Sequence, residues 1–396
     1  MERKDYCNMA ETLLLTFCDS IGPRPVGSRE NREATGLFSA WMEECGMHVT
    51  HQTFDCMDWK DHGSSLLAED EVFQVYSGPY SPPAEVEGPV LGVSTLSELE
   101  GVDADGSILL LHGALAEMRL MPKNFTFYNP PEHKHVVSLL ESSGALAVMA
   151  ATGPEASMLG GTYPYPMIED GDFLIPNAFM NDLEGQRLLD NGGMARLRIE
   201  TESTPSKSCN VLASEGEGRK VVLMAHIDSK DQAPGALDNA SGVVSLMMVA
   251  EMLQDVDLGV GVEFWAINGE DHYANPGELL FLESQRDAMD DIVLGINIDG
   301  VGYRHGQSRV SFYGVEDQGP LEDIFAQRDL GTGKGWEQGD HMLLVKNNVP
   351  ALAITSEPLE EIMTIAHTPE DTADHIDPCR LADVAMAVVD LIRSLT

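Results

Sequence analysis

The sequence predicts an α/β protein: a mixed, mainly parallel sheet flanked by helices, with a smaller β-rich α/β domain inserted into it. Three observations carry this. After residue 209, short apolar runs alternate with segments of helical length, the pattern of strands joined by crossover helices. From about Val90 to Thr201 the texture changes to short apolar strands with helical pieces between them. Two polar, Pro- or Gly-punctuated stretches, SGPYSPPAEVEGP (77–89) and TESTPSKS (201–208), bracket that segment. The chain therefore divides into residues 1–79 with 205–396, and an insert of residues 80–204. Its 396 residues suit two or three domains.

In order, residues 6–18 and 30–46 have the apolar spacing of amphipathic helices, joined through the Gly/Pro-rich turn IGPRPVGS (21–28). SILLLHG and GALAVMAATG are the clear strands of the insert. Then follow strand VVLMAH, helix SGVVSLMMVAEML, strand VEFWAIN, helix GELLFLESQ and strand VLGINID. A last strand, PALAIT, and a closing helix over 380–395 complete the pattern.

Hydrophobic residues make up 43%, enough for a large core, so wholesale disorder is excluded. Asp and Glu total 65 against 24 Lys and Arg, a formal charge of −41. That field repels phosphate backbones and anionic bilayers, so neither nucleic acid nor membrane is expected as a partner. It favours divalent metals and amine-bearing ligands. Six cysteines without a C-x-x-C pair suggest reduced thiols in a cytoplasmic protein rather than a disulfide frame or zinc knuckle. The start, MERKDYCNMAETLLLTF, has no signal-peptide core, and no uninterrupted apolar run reaches membrane-spanning length.

In open α/β sheets ligands bind beyond the carboxyl ends of the strands. Chemistry-bearing residues stand there: His226-Ile227-Asp228, Asn268-Gly269-Glu270-Asp271 and Asp299-Gly300. Asp238 lies in the turn PGALDNASG before a helix, and His367 and Asp371 share the loop AHTPEDTADHID. Singly, each has a bland explanation, such as a helix cap or a solvated carboxylate. Together they match a divalent site with mixed nitrogen and oxygen ligands, best suited to zinc. The surplus of carboxylates suggests two metals sharing one of them.

The segments AHID, GALDNASGV, GED, NID and HTPEDT resemble the zinc aminopeptidases of metallopeptidase family twenty-eight, clan MH. GPRPVGS and GDHMLLVKNNVPAL are similar to further family positions. GSILLLHG, SGALAVMAA and IPNAFMNDLEGQRLL resemble a protease-associated insert, by texture more than motif. The resemblance implies a phosphorylase/hydrolase-like peptidase core and hydrolysis of the N-terminal residue of a peptide. It implies two zinc ions: one on His226, Asp299 and a bridging Asp238, the other on Asp238, Asp271 and His367. Glu270 becomes the general base that deprotonates the attacking water, and Asp228 the partner that orients His226.

Two departures stand out. Asp271 takes a position where Glu is commoner. Ala366 stands where several relatives have a Tyr that stabilises the oxyanion, a role His341 in QGDHML could fill, unless His341 only supports its loop through Asp340. The alternatives are a carboxypeptidase or dipeptidase of the same fold, a one-zinc glutaminyl cyclase, and a binding scaffold that has lost its metal. A carboxypeptidase needs a cation for the terminal carboxylate, and Arg304 and Lys346 are the nearest candidates by sequence. A scaffold predicts broken ligands, and every ligand is present.

Overall fold

The alternation of buried strands and helices places most chemistry at strand ends. The computed structural model describes residues 2–154, 163–216, 218–256, 258–335 and 338–395. The strands, in chain order, are β1 (His48–Ala68), β2 (Glu71–Phe73), β3 (Tyr76–Ser77), β4 (Ala84–Val93), β5 (Ile108–Leu111), β6 (Ala147–Thr152), β7 (Asn177–Asn181), β8 (Met194–Glu215), β9 (Lys220–His226), β10 (Gly261–Ile267), β11 (Ile292–Ile298), β12 (Gln307–Tyr313), β13 (Gly331–Thr332) and β14 (Ala351–Glu357). The α-helices are α1 (Arg3–Leu15), α2 (Arg29–Glu44), α3 (Leu96–Gly101), α4 (Pro131–Ser142), α5 (Asp182–Asn191), α6 (Ser241–Leu253), α7 (Pro276–Gln285), α8 (Gly319–Ala326), α9 (His341–Val345), α10 (Leu359–Ile362) and α11 (Pro378–Ser394).

Two compact units result: Met1–Cys56 with Ser206–Thr396, and Met57–Pro205. The second begins ahead of the boundary expected at 80, so residues 57–79 belong to it. The physical reason is that the chain leaves the first unit within β1, a long strand without Gly or Pro at the crossing, and returns within β8 at Pro205, where the sequence does mark the boundary.

In the first unit the strand order is β13-β12-β14-β11-β9-β10-β8. β9 runs parallel to β10 and β11, and β11 parallel to β14, whereas β8 and β12 pair antiparallel. Val221 to Ala225 are all fully buried, the continuous apolar run of a strand covered on both faces. α6 packs over β9 and β11 and against α1, α2 and α11. Its window Ala236–Leu253 is apolar enough to span a bilayer by length and composition, yet 83% of it is buried inside the protein, as expected of a core helix. Its first turn is anchored by Asn239, whose side-chain oxygen accepts the Gly242 amide at 2.9 Å. Ser28 caps α2 through the Asn31 amide, and Asp377 caps α11 through Cys379, with Pro378 at the first helical position.

The parallel register aligns strand ends: Ile267 pairs with His226, and Ile298 with Ile354. β9, β10, β11 and β14 thus finish on one side of the sheet, where the next residues gather.

In the second unit β4, β5, β6 and β7 are parallel, with β3 antiparallel to β7 and β8 antiparallel to β4. Alternate residues of the same strands feed two cores: Ile108, Leu110 and Met149 one, Leu109, Leu111 and Val148 the other. A sheet buried on both faces makes this unit α/β.

One expectation is corrected. Cys7 of α1 and Cys379 of α11 form a disulfide, with Arg3 bound through two nitrogens to Asp383 alongside at 2.7 and 2.6 Å. The partners are 372 residues apart, and packing of α1 on α11 brings them together, so their spacing could not announce them. Cys18, Cys45, Cys56 and Cys209 form no disulfide. With one pair oxidised, cysteine usage no longer argues for a reducing compartment.

Candidate metal centre

His226 is the last residue of β9, and Asp299 follows β11 directly. Glu270 and Asp271 occupy the turn after β10, and Asp238 the turn before α6. His367 sits beyond α10 with φ +63°. Asp238 joins two clusters. Its Oδ1 lies 2.9 Å from His226 Nε2, and its Oδ2 lies 2.9 Å from His367 Nε2. His226 Nε2 is also 3.9 Å from Asp299 Oδ1, and His367 Nε2 is 3.1 Å from Asp271 Oδ1. Two ligand triads follow, His226–Asp238–Asp299 and Asp238–Asp271–His367, each with one donor atom per residue within 4.8 Å of the others. These are the five residues singled out as ligands in the sequence.

The donor set fits metal. The ring of His226 is 1% exposed, and neither of its nitrogens makes a hydrogen bond among the described residues. Asp271 Oδ2 is equally unsatisfied. Buried polar atoms left without partners are rare, and here they converge on shared centres. Two imidazoles and three carboxylates suit zinc in particular.

Main-chain contacts hold this constellation. Asp228 does something the sequence did not suggest. Its Oδ1 is 3.7 Å from His226 Nδ1, beyond a hydrogen bond. Instead its two oxygens accept the amides of Gly269 at 2.7 Å and Asp271 at 3.1 Å. The clamped residues flank Glu270, so Asp228 sets the turn that presents it. Asp371 works in the same way on the amides of Leu237 and Asp238. Lys230 donates to the carbonyl of Asp271 at 2.8 Å and lies 3.7 Å from its Oδ1. Sequence reading missed Lys230, which has no motif of its own beyond following Asp228.

Without metal, burial opposes charge on both histidines, but surrounding carboxylates outweigh it and hold both well above the usual imidazole range. Burial likewise opposes the Asp238 carboxylate, yet the two histidines hold it well below its ordinary range. Burial pushes Glu270 well above the usual carboxylate range, with Asp271, Asp238 and Asp299 adding to it. Burial also lifts Asp299 to about 7.

A cleft opens beside Asp238 and Asp299, lined by Leu237, Thr355, Leu359, Ile362, Met363 and Ala366. Ala366 leaves no donor at its position. His341 begins α9, is fully buried and packs on the Tyr313 ring at 4.7 Å. Arg304 donates to the carbonyls of Asp374 and Ile376.

Residues 210–392 match the model of Peptidase family M28. The chain is similar to Aminopeptidase YwaD of Bacillus subtilis, 24% identical over 94% of this chain and 81% of that protein. The fold is similar to that of BSAP, a zinc aminopeptidase from Bacillus subtilis, at TM-score 0.75 and 19% identity over 98% of this chain and 94% of that one. It is also similar to that of an aminopeptidase from Aneurinibacillus sp. strain AM-1, at TM-score 0.72 and 21% identity over 98% and 92%. At such identities the structural likeness speaks for the fold alone. The ligand-bearing strand ends all lie inside the segment that matches Peptidase family M28, residues 210–392.

Proposed function

We propose that the chain is a zinc-dependent aminopeptidase that binds two zinc ions and removes the N-terminal residue of a peptide. The observation that carries this reading is the reach of Asp238 to His226 with one oxygen and to His367 with the other. A carboxylate shared between two ions directs its two oxygens in this way. The names of the similar proteins, an aminopeptidase and a zinc aminopeptidase, point the same way.

His226, Asp238 and Asp299 would hold one ion, and Asp238, Asp271 and His367 the other. When bound, zinc supplies Lewis-acid chemistry, polarising the scissile carbonyl and lowering the pKa of water. Glu270 takes the proton from the attacking water as the C–O bond forms, then gives it to the leaving nitrogen as the C–N bond breaks. Asp228 keeps Glu270 in place through the Gly269 and Asp271 amides.

Excess carboxylate at the centre favours a free α-amine, and the overall charge of −41 adds a long-range bias toward cationic peptide ends. A peptide is accordingly the partner, and nucleic acid is disfavoured by the same field. Arg304, one of the two nearest sequence candidates for a carboxylate clamp, is engaged by main-chain carbonyls. The apolar side of the cleft, with Leu359, Ile362 and Met363, suits an apolar first side chain.

The test uses one apolar tripeptide in three forms: free, acetylated at its amino end, and amidated at its carboxyl end. Acetylation should abolish cleavage, and amidation should leave it intact. Cleavage of the acetylated form from its carboxyl end, with the amide resistant, would establish the carboxypeptidase alternative instead. Zinc measured in the same preparations distinguishes an enzyme from a metal-free scaffold.

A further inference from the structure

Arg24 lies in the Gly/Pro-rich turn ahead of α2 and is fully buried. A buried guanidinium normally faces a carboxylate or a cluster of acceptors, because an uncompensated charge in the interior is costly. Here each of its three nitrogens donates to a main-chain carbonyl: Nε to Ile227 at 2.7 Å, one terminal nitrogen to Pro234 at 2.6 Å and the other to Gly235 at 2.9 Å. Its own amide donates to Ser229 Oγ at 3.1 Å. All four partners fall in the stretch between His226 and Asp238, the two ligands that share one metal position.

The stretch is wrapped tightly around the guanidinium. Gly235 has φ +62°, where a side chain is strained. A Cβ there would lie 2.6 Å from the Asp238 carbonyl and from Ser229 Cβ, and 3.1 Å from an Arg24 nitrogen. The backbone can therefore approach the cation and still turn into Asp238 only because residue 235 lacks a side chain. The segment carrying Arg24 is tied to a second ligand turn as well. Asn31 donates to the Arg24 carbonyl at 3.1 Å and to Asn268 Oδ1 at 2.9 Å, two residues before Glu270.

We propose that Arg24 is a positioning residue of the metal centre, fixing the Ile227–Gly235 loop so that His226 and Asp238 are preset to share an ion. The proposal rests on the metal-centre reading above and adds to it a residue that touches neither ion nor substrate. Lysine is no substitute, since one ammonium cannot span three carbonyls presented to a planar fork.

The test compares the full-length chain with Arg24→Lys and Arg24→Gln, measuring zinc affinity by competition with a chromophoric chelator. Hydrogen exchange is followed in the metal-free proteins. Both variants should bind zinc about 10–100-fold more weakly, the usual effect of losing support behind metal ligands. The Leu237 and Asp238 amides should exchange faster, while those of β4 to β7 stay as in the wild type. Added guanidinium should restore part of the affinity of Arg24→Gln. If that variant does not fold, Arg24→Lys alone decides. Wild-type affinity in a folded variant, with only a lowered melting temperature, overturns the proposal and leaves Arg24 a stability residue. A wild-type chain that binds no zinc overturns the metal-centre reading, and this inference with it.

Discussion

Asp371 accepts the amide of Asp238 at 3.1 Å, so the loop that supplies His367 also fixes the carboxylate shared between the two ligand triads. Its other oxygen takes the Leu237 amide at 2.7 Å. Asp371→Asn would turn an NH2 group toward one of these two donors. Zinc affinity should fall by about 10–100-fold, as for other supports behind metal ligands. Titration with a competing chelator measures this, and an unchanged affinity would remove Asp371 from the centre.

Metal content dissects the triads. Asp238→Ala should cost both ions, because both triads use that residue. His226→Ala and His367→Ala should each weaken one ion more than the other. Mass spectrometry of the native protein counts them, and equal loss in all three variants would contradict a shared ligand.

Glu270, the proposed general base, is in neither triad. Glu270→Gln should retain the metal of the wild type and lose at least ~100-fold in kcat. Full metal occupancy with near-normal turnover would refute the assignment.

Zinc must displace protons from His226 and His367, both held above the usual imidazole range in the metal-free chain. Affinity should therefore keep rising with pH above the ordinary imidazole range and level off once both rings are neutral. The metal-free protein should show the opposite trend in stability. Its histidine pKa values are raised relative to the unfolded chain, so their contribution is complete below the unfolded value and fades as pH rises through the folded one. Calorimetric titration and denaturant melts over the same pH range check the two signs together.

The Cys7–Cys379 bond closes a loop of 372 residues, and loops of that length lose much entropy on closure. Cys379→Ser, or reduction, should destabilise the first unit by about 2–5 kcal/mol. Denaturation with and without reductant reads this directly.

Much of the site was legible because parallel sheets put chemistry at strand ends. His226, Asp271 and Asp299 follow apolar runs whose length and composition mark them as strands, and HTPEDT stood out by its mix of residue types. Asp228 was legible as a site residue but not in its role, since what it touches is main chain. Arg24 was visible only as part of a turn, because its partners begin 203 residues later and are carbonyls, which carry no sequence signature. The unit boundary at Met57 was hidden for a related reason: a continuous strand shows no break where its neighbours change.

The first unit is assembled from two separated stretches of chain, with the second encoded between them. During synthesis, Arg24 leaves the ribosome long before Ile227 does. At about 5–20 residues per second, the interval is roughly 10–40 s. For that time α1 and α2 present apolar faces meant for α6 and α11, neither of which yet exists, while Met57–Pro205 already has its own core to close. The nascent amino-terminal segment is thus the vulnerable part of biogenesis, and a holding chaperone would find its target there.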